Sequence, residues 1–268
     1  MATVSSRPEV GPLLRQWRER RRRTQQDLAL DAGISARHLS FVETGRSKPG
    51  AEIILRLAEQ LDVPFRERND LLLAAGHAPA FPERSLEDPE LASVRDALEL
   101  ILTEHEPYPA VVVDRHWNLV AANSAMGLVA SLVEPDLLSP PVNVMRVGLH
   151  PRGLAPSIVN LDQVRAYFIT RLQRQVAVTA DAELAALLEE VAGYPARERD
   201  PPAHPADTGI AGPVRIRAPD GAELSFFGMF ATFETPFEVT TSELAIEFAF
   251  PADRATAEAL TNLARDRR

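Results

Sequence analysis

Apolar and polar residues alternate at helical spacing in the first part of the chain, which predicts short amphipathic helices. Residues 24–46 contain two such periods joined at Gly33. Thr24 and Ser35 stand where a hydroxyl group caps the start of each helix. Gly33 accepts the positive φ of the turn, and Gly45 is placed to end the second helix in the same way. The pattern therefore predicts two short helices with defined ends.

Further apolar periods extend this helical region. Ala51 to Leu61 and Phe65 to Ala75 repeat apolar residues at helical spacing. With one preceding helix they predict an all-α domain of five helices over residues 1–76. Residues 77–89 are rich in proline and polar residues, which is typical of a linker. Residues 90–268 then form a second domain.

The second domain mixes strand and helix patterns, which predicts an α+β fold. Pro109 to Asp114 and Asn118 to Asn123 predict a hairpin. Helices and three more strands follow in an order similar to that of a PAS-like fold, in which an antiparallel five-stranded sheet and helices enclose a small-molecule cavity. The other predicted elements are helices at 89–105, 124–132 with a Ser124 cap, 161–176, 181–191 and 252–265, strands at 214–217, 224–233 and 244–250, and a proline-rich break at 195–213.

The second short helix carries an unusual outward face. At 100° per residue, Arg37, Ser40 and Phe41 fall opposite the apolar face. A solvated face rarely carries phenylalanine, whereas in a DNA major groove Phe41 would contact thymine methyl groups while Arg37 reaches guanine O6 and N7. The alternative is a helical hairpin in an ordinary core, with Phe41 buried against a neighbouring domain. Caps, turn and spacing together favour DNA.

The start of the first short helix offers phosphate contacts. Gln25 and Gln26 lie there, where backbone N–H groups favour an anion. With the second helix, the predicted DNA-binding residues are Gln25, Gln26, Ser35, Ala36, Arg37, His38, Ser40 and Phe41.

The charge of the chain is strongly asymmetric. Residues 1–50 hold ten Arg and Lys against five Asp and Glu, a net charge of +5. Because the whole chain carries −9, residues 51–268 carry −14. A positive region confined to one end is typical of binding to nucleic acid. The run Arg20 to Arg23 fits a solvated helix end as well as a phosphate contact.

Composition narrows the class of protein. The chain has 268 residues, of which 45% are hydrophobic, enough for two packed domains. It has no cysteine, which excludes disulfides and thiolate metal sites. No apolar run approaches the roughly 20 residues of a membrane helix, and the N-terminus lacks a signal-peptide pattern. We expect a cytoplasmic protein without membrane contact, without a cofactor, and at the nucleoid when bound to DNA.

The first domain shares its residue pattern with a DNA-binding family. The chain reads TQxxLAxxAGIS followed by LSxVExG, which resembles the Cro/repressor class of helix-turn-helix domains, the XRE family. The resemblance implies that Arg18 of the first helix pairs structurally with Glu43. It also implies phosphate contacts by Arg46, Ser47 and Lys48.

The second domain carries a resemblance of its own. The chain reads YPAVVVDRHWNLVAAN from Tyr108, PVNVMR from Pro141 and LHP from Leu149, which is similar to the MmyB-type ligand-binding domain. With FVETGRS and LLLAAG, the resemblance covers nearly the whole chain. It implies a helix-turn-helix regulator whose PAS-like domain accommodates a fatty-acid-like or other hydrophobic ligand.

A fatty-acid pocket needs apolar walls and a polar anchor for the carboxylate. Arg146 and His150 lie four residues apart and share a face if that segment is helical, so both can donate to a carboxylate. Asn143 can add a neutral hydrogen bond. The alternative is a surface arginine and a structural histidine. The candidate wall residues, each equally interpretable as plain core, are Trp117, Phe168, Phe226, Phe227, Phe230 and Phe233.

Three functions stay open for the second domain. Catalysis has little support, because the histidines lack metal-ligand spacing and no nucleophile elbow or phosphate loop occurs. Dimerisation or partner-protein binding without any ligand is the stronger alternative to ligand sensing. We predict a transcription regulator that binds a double-stranded, roughly palindromic operator as a homodimer and responds to a hydrophobic small molecule.

Overall fold

A computed structural model describes residues 9–195 and 212–266 of the protein. The chain divides into two compact units. Of the described residues, the first unit contains 9–84 together with Ala177–Thr179 and Thr235–Ser242, and the second contains the others.

Between residues 9 and 84 the chain forms the predicted all-α arrangement of five helices. Thr24 Oγ1 accepts a hydrogen bond from the backbone N–H of Asp27 at 3.1 Å, and Ser35 Oγ accepts one from His38 at 3.1 Å, so both predicted caps are present. The helices are α1 Val10–Arg20, α2 Gln25–Asp31, α3 Ala36–Glu43, α4 Ala51–Gln60 and α5 Phe65–Ala74.

One apolar core holds these helices together, and α1 approaches α3 very closely. A Cβ atom on Gly11 would lie only 2.5 Å from the carbonyl oxygen of Val42 and 2.8 Å from that of Glu43. Burying a large apolar side chain in such a core stabilises the fold by about 1.5–3 kcal/mol. Its deeply buried residues include Leu14, Leu28, Leu39, Ile54, Leu57, Leu61 and Leu71.

Part of the predicted linker packs against α5. The rings of Phe65 and Phe81 stack with centroids 4.1 Å apart. Asn69 donates to the carbonyl oxygen of Phe81 at 2.7 Å and accepts from the N–H groups of Ala80 and Phe81. The chain therefore stays fixed to the first unit beyond the end of α5.

The second unit contains a five-stranded antiparallel sheet, which confirms the predicted α+β class. Its strand order is β2-β1-β5-β4-β3. A 3₁₀ turn at Pro89–Leu91 precedes α6. The strands are β1 Ala110–Val113, β2 Leu119–Ala122, β3 Val214–Arg217, β4 Glu223–Thr232 and β5 Ala245–Pro251, and the helices are α6 Ala92–Glu104, α7 Gly127–Ala130, α8 Val144–Leu149, α9 Leu161–Thr179, α10 Ala182–Ala192 and α12 Arg254–Asp266. A further short helix, α11 Val239–Glu243, belongs to the first unit up to Ser242, as do the last three residues of α9.

Alternate residues of the sheet face two different helical layers. Val112 and Ile246 pack with Leu98 of α6 in one cluster. Val111 and its neighbours on the opposite face belong to a larger cluster with residues of α8, α9 and α10 such as Leu172. The period-2 alternation of the strands explains this division.

Asp181 joins the start of α10 to the β1–β2 turn. Its carboxylate accepts from the N–H groups of Glu183 and Leu184, which caps α10. It also pairs with Arg115 and with His116 Nε2 at 2.9 Å. Burial by itself would raise the pKa of Asp181, but the hydrogen bonds from His116, Leu184 and Arg115 outweigh it and lower that pKa to about 2.

Several element predictions need correction. No helix capped by Ser124 runs to Leu132. The segment forms a 3₁₀ turn at Ser124–Met126 followed by α7, because Ser124 lies inside the turn, one residue after its cap position. The helix α11 is not predicted by the pattern. Most of the predicted break at 195–213 lies outside the described residues.

Candidate nucleic-acid interface and ligand cavity

A buried carboxylate joins the first three helices. Glu43, at the C-terminal end of α3, accepts from Arg18 Nε at 2.7 Å and from Arg18 Nη2 at 2.8 Å. The hydrogen bond with Glu43 raises the pKa of Arg18. Gln25 Nε2 donates to the same carboxylate at 2.8 Å. The structure thus places Arg18 and Glu43 in the implied pair, and it engages the side-chain amide of Gln25, a predicted phosphate contact, inside the motif.

The outward face of α3 and the turn after it together present one aromatic ring and two arginines. The guanidinium carbon of Arg37 lies 5.2 Å from the Phe41 ring centroid, and that of Arg46 lies 6.0 Å from it. Both arginines are exposed, and Phe41 is half-buried. Cation–π contacts at these distances restrict the orientation of the two arginines, whose side chains stay exposed to solvent. The face therefore offers an apolar surface flanked by two cationic donors.

The other predicted DNA-binding residues differ in their accessibility. Of these, Gln26, Ser35, Ala36 and Lys48 are exposed, whereas His38, Ser40 and Ser47 are half-buried.

The arginine run after α1 has internal partners. Arg21 Nε donates to the carbonyl oxygen of Leu61 at 2.8 Å, and Arg21 Nη2 donates to that of Asp62 at 3.0 Å, where the end of α4 leaves carbonyl groups without helical partners. Arg23 pairs with Asp31. At these two positions the run supports the structure of the first unit.

An apolar cavity of about 180 Å³ lies in the second unit, on the side of the sheet that faces α8 and α9. Strands β1, β3, β4 and β5 and helices α7, α8 and α9 contribute to its walls. The lining is almost entirely aliphatic and aromatic. Met145, Leu149, Val164, Phe168, Phe226 and Phe248 are among the lining residues.

Two glycines widen this cavity. Gly148 of α8 and Gly228 of β4 both line it, and a Cβ atom on either would meet no other atom within 4 Å. Neither glycine has a positive φ. The absence of a side chain at these positions therefore enlarges the cavity and is not needed for the backbone conformation.

Glu247 of β5 is the one charged residue among the described residues that line the cavity. It pairs with Val111 of β1 and with Phe230 of β4 in the sheet register. Burial among apolar walls raises the pKa of Glu247 from 4.5 to about 7, and the positive charge of Arg171 offsets part of this effect. The guanidinium carbon of Arg171 lies 3.4 Å from the Phe230 ring centroid and 4.8 Å from the Trp117 ring centroid.

Glu247 is not among the site residues predicted from the sequence, although its place in an otherwise apolar strand could have indicated it. It is the single charged residue in β5, Ala245–Pro251, which is otherwise apolar or proline. A charge that shares a strand face with buried apolar residues is costly unless it has a partner or a function.

The predicted wall residues are only partly at the cavity. Phe168 and Phe226 line it. Phe230 and Trp117 meet edge to face at 5.5 Å beside Arg171, and Trp117 Nε1 donates to Gln175. The neighbouring strand residue Phe227 alternates to the other face of the sheet and is 39% exposed. Phe233 packs in the α6 cluster.

The predicted carboxylate anchor lies away from the cavity lining. Arg146 makes three hydrogen bonds of 2.8–3.0 Å to the carboxylate of Glu190. His150 Nδ1 accepts from the backbone N–H of Arg152 at 3.0 Å. Asn143 caps α8 and donates to the carbonyl oxygen of His116 at 2.8 Å. Each of the three thus has structural partners, and none lines the cavity.

Comparison with known protein families decides the class of this chain. A helix-turn-helix family matches residues 14–68, and the MmyB-like transcription regulator ligand binding domain matches residues 94–263, more than half of the chain. The chain belongs to the MmyB-like transcription regulators. An MmyB-like regulator joins a helix-turn-helix DNA-binding domain to a ligand-binding domain, and the two sets of residues described above lie in those two domains.

Two curated relatives of this MmyB-like regulator have similar descriptions. It is 35% identical over 115 residues to the uncharacterized HTH-type transcriptional regulator RghRB of Bacillus subtilis, covering 42% of this chain and 74% of that protein. It is 33% identical over 130 residues to a putative HTH-type transcriptional regulatory protein of Methanoculleus marisnigri, covering 46% of this chain and 41% of that protein.

A solved structure, titled as that of an RNA-binding Light-Oxygen-Voltage receptor, aligns with 98% of this chain and 66% of its own at 14% identity. Its TM-score of 0.28 is too low to indicate a shared fold. Over residues 9–195 and 212–266, no helix of the MmyB-like regulator is both long and apolar enough to cross a membrane. The same residues contain no group of three or more His, Cys, Asp or Glu that could hold a metal ion.

Proposed function

We propose that this MmyB-like regulator binds a roughly palindromic operator as a homodimer and that a hydrophobic small molecule in the cavity changes its affinity for that operator. The observation that carries the proposal is the apolar cavity of about 180 Å³ in the ligand-binding domain. A core whose only task was dimerisation would be filled, because close packing stabilises it. Two wall positions of this core are glycines that leave space instead.

The proposed DNA contact places α3 in the major groove. Arg37 donates to guanine O6 and N7, and Phe41 contacts thymine methyl groups. The cation–π contact between them supports this arrangement, since it holds the guanidinium beside the ring before DNA arrives. Gln26, Arg46, Ser47 and Lys48 provide the proposed phosphate contacts.

We infer a homodimer from the short length of the proposed DNA-reading helix. The helix α3 has eight residues, so one copy reads only a few base pairs. Two copies on half-sites about one helical turn apart combine their contacts, and the operator then mirrors the two-fold symmetry of the protein. Because DNA is the proposed partner, the proposed place of action is the nucleoid in the cytoplasm.

The proposed ligand is a fatty-acid-like or other hydrophobic molecule. The strand order β2-β1-β5-β4-β3 and the helices on the cavity face support a PAS-like interpretation of the domain. To regulate, the ligand must bind the DNA-competent and incompetent states with different affinity. Dimerisation without a ligand is the competing function.

Selection of DNA and native mass spectrometry test the proposal together. Sequences enriched from a random duplex library by the full chain should contain an inverted repeat, and the complex should contain two protein chains per duplex. Native mass spectrometry of the purified protein, followed by denaturing extraction, should reveal a hydrophobic small molecule whose removal changes operator affinity several-fold. A dimer without a bound mass, with operator affinity unchanged by extraction, would support the dimerisation function instead.

A further inference from the structure

Glu247 gives this apolar cavity a single charged position among its described lining residues. Glu247 pairs across the sheet with Val111 on one side and Phe230 on the other, so its neighbours in the sheet are apolar. Glu247 is half-buried and is one of the residues that line the cavity. A ligand in this cavity therefore meets a carboxyl group as the only charged group of the described lining residues.

Within the described parts of the chain, no other side chain forms a hydrogen bond with the carboxyl group of Glu247. Arg171 of α9 attracts it electrostatically. The guanidinium of Arg171, however, lies over the Phe230 and Trp117 rings and donates to Tyr167 Oη at 3.3 Å. A carboxylate desolvated by apolar walls and without a hydrogen-bond donor is costly, and a donor supplied from outside offsets that cost.

We propose that the ligand of this cavity is an apolar molecule whose polar end is a hydrogen-bond donor, above all a protonated amine, bound by the Glu247 carboxylate. This inference rests on the proposed function, that the cavity holds a hydrophobic ligand. An ammonium group forms a charge-assisted hydrogen bond with a carboxylate. A ligand carboxylate instead places two like charges side by side, so that one of them must take up a proton.

The charged groups around the cavity fit this assignment. From α9, only Arg171 has a resolved electrostatic effect on Glu247. From α8, Arg146 is already bound to Glu190. The facing strands contribute Val111 and Phe230. The described lining residues thus include no cation that could bind an anionic head group.

Isothermal titration calorimetry of the full chain with three C10 probes tests the head group. Decylamine, 1-decanol and decanoic acid share an apolar tail and differ in the polar end. At pH 8 an alkylamine is protonated and Glu247, with its pKa of about 7, is mostly ionised. We expect decylamine to bind about tenfold or more tightly than decanoic acid, with decanol between them.

Two substitutions locate the binding. Glu247→Gln keeps the shape of the side chain but removes its charge, so decylamine should lose about tenfold in affinity while decanol changes less than about twofold. Gly228→Val fills the open space at β4 and should weaken all three probes. Glu99→Gln removes an exposed carboxylate of α6 and serves as the matched control. Thermal unfolding of each variant reports whether it folds.

The outcomes separate this inference from the proposed function. Equal or tighter binding of decanoic acid, or decylamine affinity unchanged by Glu247→Gln, overturns the head-group assignment and leaves a hydrophobic ligand site intact. Absence of binding by all three probes to the folded chain overturns both. Preference for decylamine that Glu247→Gln removes supports the assignment.

Discussion

Single side chains set the chemistry of the proposed DNA-binding face, and Phe41 is central among them. Two guanidinium groups approach its ring, at 5.2 and 6.0 Å. The ring therefore presents apolar surface and also limits where Arg37 and Arg46 can point. Removing the ring affects its own contacts and the orientation of both cations.

Replacing Arg37 or Phe41 by alanine should weaken binding to the selected operator by about 1–3 kcal/mol and relax sequence preference at the contacted base pairs. The physical reason is loss of base-edge contacts, which non-specific DNA does not provide. Fluorescence anisotropy with operator and with scrambled duplex measures both affinities. An equal loss on the two duplexes would contradict base reading and assign these side chains to phosphate contacts.

Glu247 should make stability depend on pH near neutrality. Its pKa is about 7 in the folded protein and about 4.5 when unperturbed. Between these values the folded state binds more protons than the unfolded state, so the free energy of unfolding falls as pH rises from about 4.5 through 7. Urea unfolding at pH 5, 6, 7 and 8 should show this decrease in the wild type and a smaller one in Glu247→Gln. Parallel pH profiles of the two proteins would contradict a raised pKa of Glu247 in the folded protein.

At the scale of helices and strands, the elements that could be predicted from the sequence are those whose limits depend on residues within the same turn or strand. Thr24, Ser35 and Gly33 act within their own turns, so the limits of α2 and α3 follow from neighbouring residues alone. The strands likewise follow from their apolar runs.

The residues of the ligand cavity could not be predicted from their neighbours in the sequence, because the contacts that form the cavity join distant parts of the chain. Glu247 is a cavity residue only because β1 and β4 pair with β5 in one register. Arg146 and His150 lie four residues apart as predicted, yet Glu190 and Arg152 occupy their polar groups. Sequence spacing indicates which residues share a face but not what that face meets.

The contact between α1 and α3 should tolerate no added methyl group. Gly11→Ala places a Cβ atom against the backbone oxygens of Val42 and Glu43, which cannot move without shifting the helices. We expect a loss of about 1–3 kcal/mol in the free energy of unfolding. Gly50→Ala is the matched control, since its Cβ would meet nothing within 4 Å. Chemical unfolding followed by Trp17 fluorescence in a Trp117→Phe background compares them, and equal stability of the two would contradict the close approach.

For the molecule as a whole, charge separates DNA binding from the rest of the sequence. The first 50 residues carry +5 and the remaining residues carry −14. Contacts with phosphates release condensed counterions and so depend strongly on salt, whereas an acidic region avoids non-specific attraction to DNA. Electrostatic attraction to nucleic acid is thereby confined to the N-terminal part of the chain, which contains α3.

Operator affinity should fall steeply with salt, and Lys48 should account for part of the slope. Lys48→Ala should make the slope of log affinity against log salt concentration shallower by about 1, with little change in sequence preference. Arg254→Ala removes an exposed arginine of α12 and is the control. Anisotropy titrations between 50 and 200 mM salt, a range chosen to span physiological ionic strength, measure the slopes. Identical slopes for wild type and Lys48→Ala would contradict a phosphate contact.

The two wall glycines have a consequence for the history of such regulators. Because Gly148 and Gly228 have no positive φ and a Cβ atom on either would meet nothing within 4 Å, alanine fits either position without a backbone shift. A larger side chain at these positions would occupy part of the cavity and so reduce the size of the molecule that it admits. Duplicated copies of such a gene can therefore diverge in the size of the molecule that their cavity admits while the strand register and α3 stay unchanged.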